Sequence, residues 1–246
     1  MRLTHTQKKQ YEQDGFLLLP RVLSLAAIEQ LEKDFLDLVE KWGGRRFEST
    51  QSEALAQFLL QNRELEHKLY DGIRQFPWLT EFSKSAEIAQ PVSELLGEQP
   101  GLMSKIPFRI DLPGITRELA VWHQDCHYVR GNTEIITAWI PLQDTPYVRG
   151  CLMVMPGSQC MGILDHNTEV LGKRHFPSNI FEREVRYVEM QRGDLLLFHS
   201  LLLHSSGLNM SPTPRFSIQA RYSALSAPTD PAMGEVLPVS FKGNSI

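Results

Sequence analysis

The chain has 246 residues, of which 42% are hydrophobic and 22% charged, and its formal net charge is −4. This length suits one domain with a full-sized core, and the slightly acidic balance argues against a nucleic-acid or anionic-membrane partner. The three cysteines (Cys126, Cys151 and Cys160) match no zinc-site spacing, and the first residues contain no apolar signal segment. We therefore expect free thiols, no transmembrane helix and a cytoplasmic protein.

The first hundred residues are predicted to be mainly helical. The apolar run 15–20 is short and ends at a proline, which is typical of a strand. Ser24 then caps a helix over about residues 25–41, whose apolar positions recur at helical spacing before Gly43 and Gly44 end it. Further helical patterns cover residues 55–69 and 88–96.

From about residue 100 to residue 225 the chain changes to short segments rich in β-forming residues and separated by Gly and Pro. These segments are residues 102–110, 134–141, 151–155, 185–189, 194–199 and 215–222. Short strands without intervening helices predict a sandwich or a jelly roll. We therefore expect a single domain over residues 1–246, mainly β, with a helical part at about 1–100 and a jelly-roll core at about 100–225. The polar residues 158–184 suit an active-site loop, and the last twenty residues a loosely held tail.

A metal site is indicated by His123 and Asp125, together with a histidine about eighty residues later. Alternate side chains of a strand share a face, so His123 and Asp125 are expected to point the same way. Two imidazoles and one carboxylate leave one side of an ion open, and this is the ligand set of non-haem iron(II) oxygenases. The residues alone leave two points open. His127 would complete a His-x-Asp-x-His zinc or copper site, and His199 competes with His204 as the distant ligand.

Arg215 follows His204 by eleven residues and predicts the binding of a small diacid. A buried arginine needs an anionic partner, and its planar fork suits a carboxylate held through both oxygens. Beside an open iron site, the diacid is expected to be 2-oxoglutarate. Its oxo acid would meet the metal while its far carboxylate meets Arg215.

Four blocks of the sequence resemble the phytanoyl-CoA dioxygenase family of iron(II)- and 2-oxoglutarate-dependent oxygenases. They are His-Gln-Asp-Cys-His-Tyr at residues 123–128, Ala-Trp-Ile-Pro-Leu at 138–142, Gly-Cys-Leu-Met-Val-Met-Pro-Gly-Ser at 150–158, and the segment 193–209, which ends in His-Ser-Ser-Gly-Leu-Asn. The resemblance covers most of residues 10–225. It implies a double-stranded β-helix core, of the jelly-roll or cupin-like type, flanked by helices.

The resemblance also implies roles for individual residues. The implied iron ligands are His123, Asp125 and His204, and neither His127 nor His199 is among them. The implied 2-oxoglutarate-binding residues are Arg215, Ser206, Trp139 and Gln124. Thr137 is added to this set because it shares a strand face with Trp139. The candidate substrate contacts are Arg109, His127 and Tyr128.

The implied activity is hydroxylation of an aliphatic C–H bond in a small-molecule metabolite, with O2 consumed and with succinate and CO2 formed from 2-oxoglutarate. The alternatives are desaturation, cyclisation or epimerisation at the same iron, and a non-catalytic cupin-like protein that binds a metal or a ligand. Gln159 stands where the family often has His, and the sequence shows no basic cluster for coenzyme A phosphates. These departures count against phytanoyl-CoA as the substrate but leave the predicted chemistry unchanged. The sequence indicates neither the substrate nor the oligomeric state.

Overall fold

The structure is a computed structural model, and it describes residues 2–74, 76–116, 121–129, 132–165, 168–170, 173–175, 183–227, 230 and 234–240. The helices are α1 (His5–Asp14), α2 (Leu25–Gly43), α3 (Glu53–Gln61), α4 (Arg63–Ile73), α5 (Pro77–Ser83) and α6 (Ala86–Leu96). The strands are β1 (Phe16–Leu19), β2 (Pro100–Met103), β3 (Phe108–Asp111), β4 (Ile135–Pro141), β5 (Leu152–Val154), β6 (Thr168–Val170), β7 (Lys173–His175), β8 (Arg186–Val188), β9 (Leu195–His199), β10 (His204–Ser206), β11 (Arg215–Ala224) and β12 (Val236–Pro238).

Capping residues set the first and last residues of the N-terminal helices. Thr4 and Gln7 form a capping box at the start of α1, and Gly15 ends this helix in the left-handed conformation. The Ser24 side chain accepts a hydrogen bond from the Ala27 backbone at the start of α2, and Gly44 ends α2 with φ 68°. None of the described helices is long and apolar enough to cross a membrane.

The strands form a large sheet that lies between the helices and a small sheet. The large sheet has the antiparallel order β1-β9-β4-β11-β2-β12, and β3 also pairs with β11. The small sheet has the order β10-β5-β8, and β6 pairs with β7. One apolar core joins the helices to the large sheet, and a second core lies between the two sheets.

Successive side chains along β11 alternate between the two faces of the large sheet, each of which borders one of these cores. Phe216, Ile218, Ala220 and Tyr222 are buried in the core that contains the helices. Residues 215, 217, 219, 221 and 223 are Arg, Ser, Gln, Arg and Ser, and they lie on the opposite face, which is turned toward the small sheet. The space between the sheets is therefore polar along β11, whereas it is apolar beside β9, where Leu196 and Phe198 pack.

Two glycines allow the small sheet to close against the turn that precedes it. Gly150 has φ 74°, and a Cβ at this position would lie 2.3 Å from the Gly207 carbonyl oxygen. The Gly207 backbone N–H donates to the Cys151 carbonyl, which aligns β10 with β5. Gly150 and Gly207 therefore set how closely the strand that carries His204 approaches its neighbour.

The jelly-roll core flanked by helices confirms the predicted fold class, and its large sheet is open, with β1 and β12 at the edges. Several details of the prediction were wrong. The single strand expected over 102–110 is divided into β2 and β3, and the short helices α1 and α5 and the strand β10 were not predicted. The expected loose tail contributes β12. This strand pairs with β2 and so covers a strand edge that would otherwise be unpaired.

Within the expected loop 158–184, residues 158–161 form a turn of 3₁₀ helix and β6 and β7 form a two-stranded ribbon. Residues 166–167, 171–172 and 176–182 of this loop lie outside the described residues. The assignment of all 246 residues to one domain stays a prediction.

Candidate metal centre

The structure brings His123, Asp125 and His204 together in the space between the two sheets. The backbones of His123 and His204 pair as an antiparallel bridge, with hydrogen bonds of 3.0 and 3.1 Å. Asp125 was expected on a strand. It instead begins a 3₁₀ turn over Asp125–His127. One ligand atom from each of the three side chains lies within 4.8 Å of the others, and all three residues are buried.

The separations between these atoms suit one shared ion. The Asp125 Oδ1 atom lies 3.6 Å from His123 Nε2 and 3.9 Å from His204 Nε2. Two ligand atoms that each lie about 2.1 Å from an ion can be at most about 4.2 Å apart. Both separations from Asp125 Oδ1 fall below this limit, so one ion could contact this oxygen together with either imidazole.

Both imidazoles are held with Nε2 turned toward this position. His123 Nδ1 lies 2.6 Å from the Val121 carbonyl oxygen, and His204 Nδ1 lies 2.9 Å from that of Leu202. A proton on Nδ1 that donates to a carbonyl leaves the Nε2 lone pair for a metal. Burial, with the charge of His123 next, lowers the pKa of His204 to about 3, so this ring is neutral at physiological pH.

Arg221 and Thr137 hold the Asp125 carboxylate. Arg221 donates from Nε to Oδ2 at 3.1 Å and from Nη2 to Oδ1 at 3.0 Å, and Thr137 Oγ1 donates to Oδ2 at 2.6 Å. Burial alone would raise the pKa of the Asp125 carboxyl, but the Arg221 charge and the contacts with His123 and His204 keep it well below its usual range. Thr137 was expected among the cosubstrate contacts. Arg221 was not predicted, although residue 221 lies on the same face of β11 as Arg215.

Arg215 is buried at the start of β11 beside an acidic partner that was not predicted. Its Nη2 atom lies 2.8 Å from Asp111 Oδ2, and Arg109 Nη2 donates to Asp111 Oδ1 at 2.9 Å. Burial favours the neutral carboxyl, but the charges of Arg215 and Arg109 lower the pKa of Asp111 to about 2. Arg215 Nε and Nη1 have no hydrogen-bond partner among the described residues.

Two more predicted cosubstrate residues line the same space. Trp139 is 1% exposed, and its Nε1 donor has no partner in the described part of the chain. Ser206 is 3% exposed and lies two positions after His204 on β10, so it shares the face that carries the histidine. Trp139 and Ser206 therefore lie on opposite sheets that enclose one space.

Both polar atoms of the Gln124 side-chain amide instead make hydrogen bonds to the backbone, mainly within residues 162–164. Its Nε2 donates to the carbonyl oxygens of Gly162 and Leu201 at 2.8 and 2.7 Å, and its Oε1 accepts from the Leu164 backbone N–H at 2.9 Å. His127 Nε2 lies 2.7 Å from the Leu164 carbonyl oxygen. The two side chains therefore fasten the start of the loop to the metal-ligand segment. Cosubstrate binding by Gln124 and substrate binding by His127 stay predictions.

The other candidate residues lie outside the group of three candidate metal ligands. The Tyr128 ring is 54% exposed and packs edge-on to His123, with 5.3 Å between ring centroids. Arg109 lies in the ion-pair cluster of Asp111. His199 Nε2 lies 3.5 Å from Glu134 Oε2, and this histidine is not one of the three residues that are grouped around the candidate ion position.

Comparison with known proteins identifies the family of this chain. The family model described as phytanoyl-CoA dioxygenase (PhyH) matches residues 11–217. A probable phytanoyl-CoA dioxygenase of Caenorhabditis elegans is 25% identical over 236 residues, which cover 90% of this chain and 75% of that protein. The peroxisomal phytanoyl-CoA dioxygenase of Homo sapiens is also 25% identical, over 238 residues that cover 90% of this chain and 69% of that protein.

Solved structures share the fold. The non-haem, alpha-ketoglutarate-dependent carbocyclase SnoK from nogalamycin biosynthesis aligns with a TM-score of 0.70 at 20% identity, covering 99% of this chain and 95% of that chain. The epimerase SnoN, in complex with Fe³⁺, alpha-ketoglutarate and nogalamycin RO, aligns with a TM-score of 0.65 at 19% identity, covering 96% and 95%. Because the family model covers most of its length, the chain belongs to the phytanoyl-CoA dioxygenase (PhyH) family.

Proposed function

We propose that the protein is an iron(II)- and 2-oxoglutarate-dependent oxygenase that hydroxylates an aliphatic C–H bond of a small-molecule substrate and releases succinate and CO2. One observation carries the proposal. One face of β11 carries Arg221, which holds Asp125 of the buried His-Asp-His group, and Arg215, two of whose donors have no partner among the described residues.

The donor set fits iron(II). Neutral imidazole nitrogens and one carboxylate oxygen suit a divalent transition metal, and three protein ligands on one side leave positions for other molecules. His123, Asp125 and His204 would hold the ion through Nε2, Oδ1 and Nε2 respectively. The family membership supports iron over zinc.

The surroundings of Arg215 fit the far carboxylate of 2-oxoglutarate. A buried donor without a partner costs about 1–3 kcal/mol, so Nε and Nη1 favour an anion in front of them. One carboxylate, that of Asp111, already serves both Arg215 and Arg109, which leaves room for a second negative group. Ser206 and the Trp139 Nε1 donor would add hydrogen bonds to the same molecule.

Iron and 2-oxoglutarate, when bound, supply the activation of O2 that oxidises the substrate C–H bond. The protein binds and orients the reactants. His123 and His204 keep protons on Nδ1 and away from the metal position. Arg215 would orient the diacid through its far carboxylate. The apolar wall between the sheets, which includes Val154 and Phe198, would exclude water from the metal position.

Substrate is expected to enter past Tyr128, whose exposed ring borders His123. The alternatives of desaturation, cyclisation and epimerisation use the same residues, and solved relatives of this fold are described as a carbocyclase and an epimerase. We also propose a cytoplasmic location, which the three free cysteines support.

The test is an anaerobic titration of the metal-free protein with iron(II), followed by 2-oxoglutarate. We expect a weak visible charge-transfer band that requires both additions and is absent in His204→Ala. Exposure to O2 should then yield succinate, and mass spectrometry of a metabolite mixture would detect a product heavier by one oxygen. A folded protein that binds 2-oxoglutarate without the band and never forms succinate would favour the non-catalytic binding protein.

A further inference from the structure

We propose that Thr137 and Arg221 are positioning residues that make Asp125 bind the metal through Oδ1 alone and so preserve the open side of the ion. This inference rests on the proposed function. It concerns how the carboxylate is held, which the choice of ligand residues does not determine.

The two oxygens of Asp125 have different surroundings. Oδ1 faces both imidazoles, at 3.6 Å from His123 Nε2 and 3.9 Å from His204 Nε2. Oδ2 is turned the other way and accepts from Thr137 Oγ1 at 2.6 Å and from Arg221 Nε at 3.1 Å. The lone pairs of Oδ2 are thus occupied by donors, whereas Oδ1 accepts one bond, from Arg221 Nη2, and retains a lone pair toward the ion position.

The strand register places both donors at this point. Thr137 of β4 and Arg221 of β11 are directly opposed partners in the large sheet, so their side chains lie on one face. Thr137 is fully buried, and the Arg221 side chain is 12% exposed. Because every pair in this register is fixed by the apolar residues on the other face, the two donors are held rigidly relative to Asp125.

The arrangement has a chemical consequence. A carboxylate with a free second oxygen can bind an ion through both oxygens, and it would then occupy a position that a chelating diacid or O2 requires. Donors on Oδ2 prevent this. The Arg221 guanidinium also neutralises a carboxylate that is 1% exposed, so Asp125 can be buried and aligned before the metal arrives.

The experiment measures cobalt(II) binding to the metal-free full-length protein by calorimetry and by the visible absorption of the bound ion. Cobalt(II) is stable in air, and its visible bands change in position and intensity with coordination number. The first variant is Thr137→Val, which has the same shape and removes only the donor. The second is Arg221→Lys, which retains the charge but cannot bond both oxygens.

The matched control is Ser223→Ala. Ser223 lies two residues after Arg221 on the same face of β11, is fully buried, and its hydroxyl has no hydrogen-bond partner in the described part of the chain. We expect Thr137→Val and Arg221→Lys to raise the cobalt(II) dissociation constant by about 10- to 100-fold. The visible bands should shift toward higher coordination in both variants, whereas Ser223→Ala should retain the wild-type constant and spectrum.

Two results would overturn the inference. A wild-type constant and spectrum in folded Thr137→Val and Arg221→Lys would show that Asp125 needs no such support. Equal changes in Ser223→Ala would show a general effect of altering this face of the sheet. A wild-type protein that binds no cobalt(II) would instead refute the proposed function itself. Circular dichroism and thermal unfolding establish that each variant is folded.

Discussion

Replacing Arg215 by lysine is expected to weaken 2-oxoglutarate binding and to spare metal binding. In the structure Nη2 of Arg215 faces Asp111, whereas Nε and Nη1 have no partner among the described residues. These two donors are the ones proposed to bind the cosubstrate. Lysine keeps a positive charge beside Asp111 but offers one nitrogen, so at least one charge-assisted hydrogen bond to the diacid is lost. Such a bond contributes about 1.5–3 kcal/mol, which raises the dissociation constant about 10- to 150-fold.

The assay is the same anaerobic titration, with iron(II) held constant and the charge-transfer band followed as 2-oxoglutarate is added. Arg46→Lys is the control, because Arg46 pairs with Glu48 on the exposed connection between α2 and α3. The iron(II) dissociation constant should be equal in wild type and both variants. An unchanged 2-oxoglutarate constant in folded Arg215→Lys and Arg215→Ala would refute the assignment of the far carboxylate to this residue.

Three further outcomes are expected. The folded pKa of Asp111 is about 2, below its unfolded value, so the unfolded chain takes up a proton first as the pH falls. Urea denaturation should therefore show wild type losing about 1 kcal/mol more than Asp111→Asn between pH 5 and pH 3, and parallel losses would contradict the pairing. Gln124→Leu removes three hydrogen bonds to backbone groups and should lower the free energy of unfolding by about 2–4 kcal/mol while leaving 2-oxoglutarate affinity unchanged. A weaker 2-oxoglutarate affinity in that variant would support the cosubstrate role predicted from the sequence. His204→Ala should abolish metal binding and His199→Ala should not, as measured by calorimetry, and the reverse order would mean that the distant ligand was misidentified.

The local elements could be predicted from the sequence because their causes are local. The helix α2 follows from a serine cap, apolar residues at helical spacing and two terminal glycines, all within twenty-one residues. The alternation of polar and apolar residues from Arg215 to Tyr222 determines both a strand and its two faces. The order of His123, Asp125, a distant histidine and an arginine likewise indicated the candidate site, since a ligand set is a property of residue types in order. The family resemblance then selected His204 over His199.

Other features could not be predicted because they depend on which segments become neighbours. The division of residues 102–110 into β2 and β3 arises because both strands pair with the longer β11 at different positions. Gln124 carries an amide that suits a cosubstrate or a loop equally well, and its contacts with residues 162–164 become visible only in the folded chain. The sequence would contain the same glutamine whether its amide binds a cosubstrate or a loop.

The composition and spacing of the chain thus determined its class, its helices, its strand faces and the residues that are candidates for a metal site. Only the tertiary structure decided how those residues are held. Arg221 and Asp125 are separated by 96 positions and meet because β11 passes beside the turn that follows His123. Their pairing depends on the register of β4 with β11, which the apolar face of the sheet fixes through packing against helices far away in sequence.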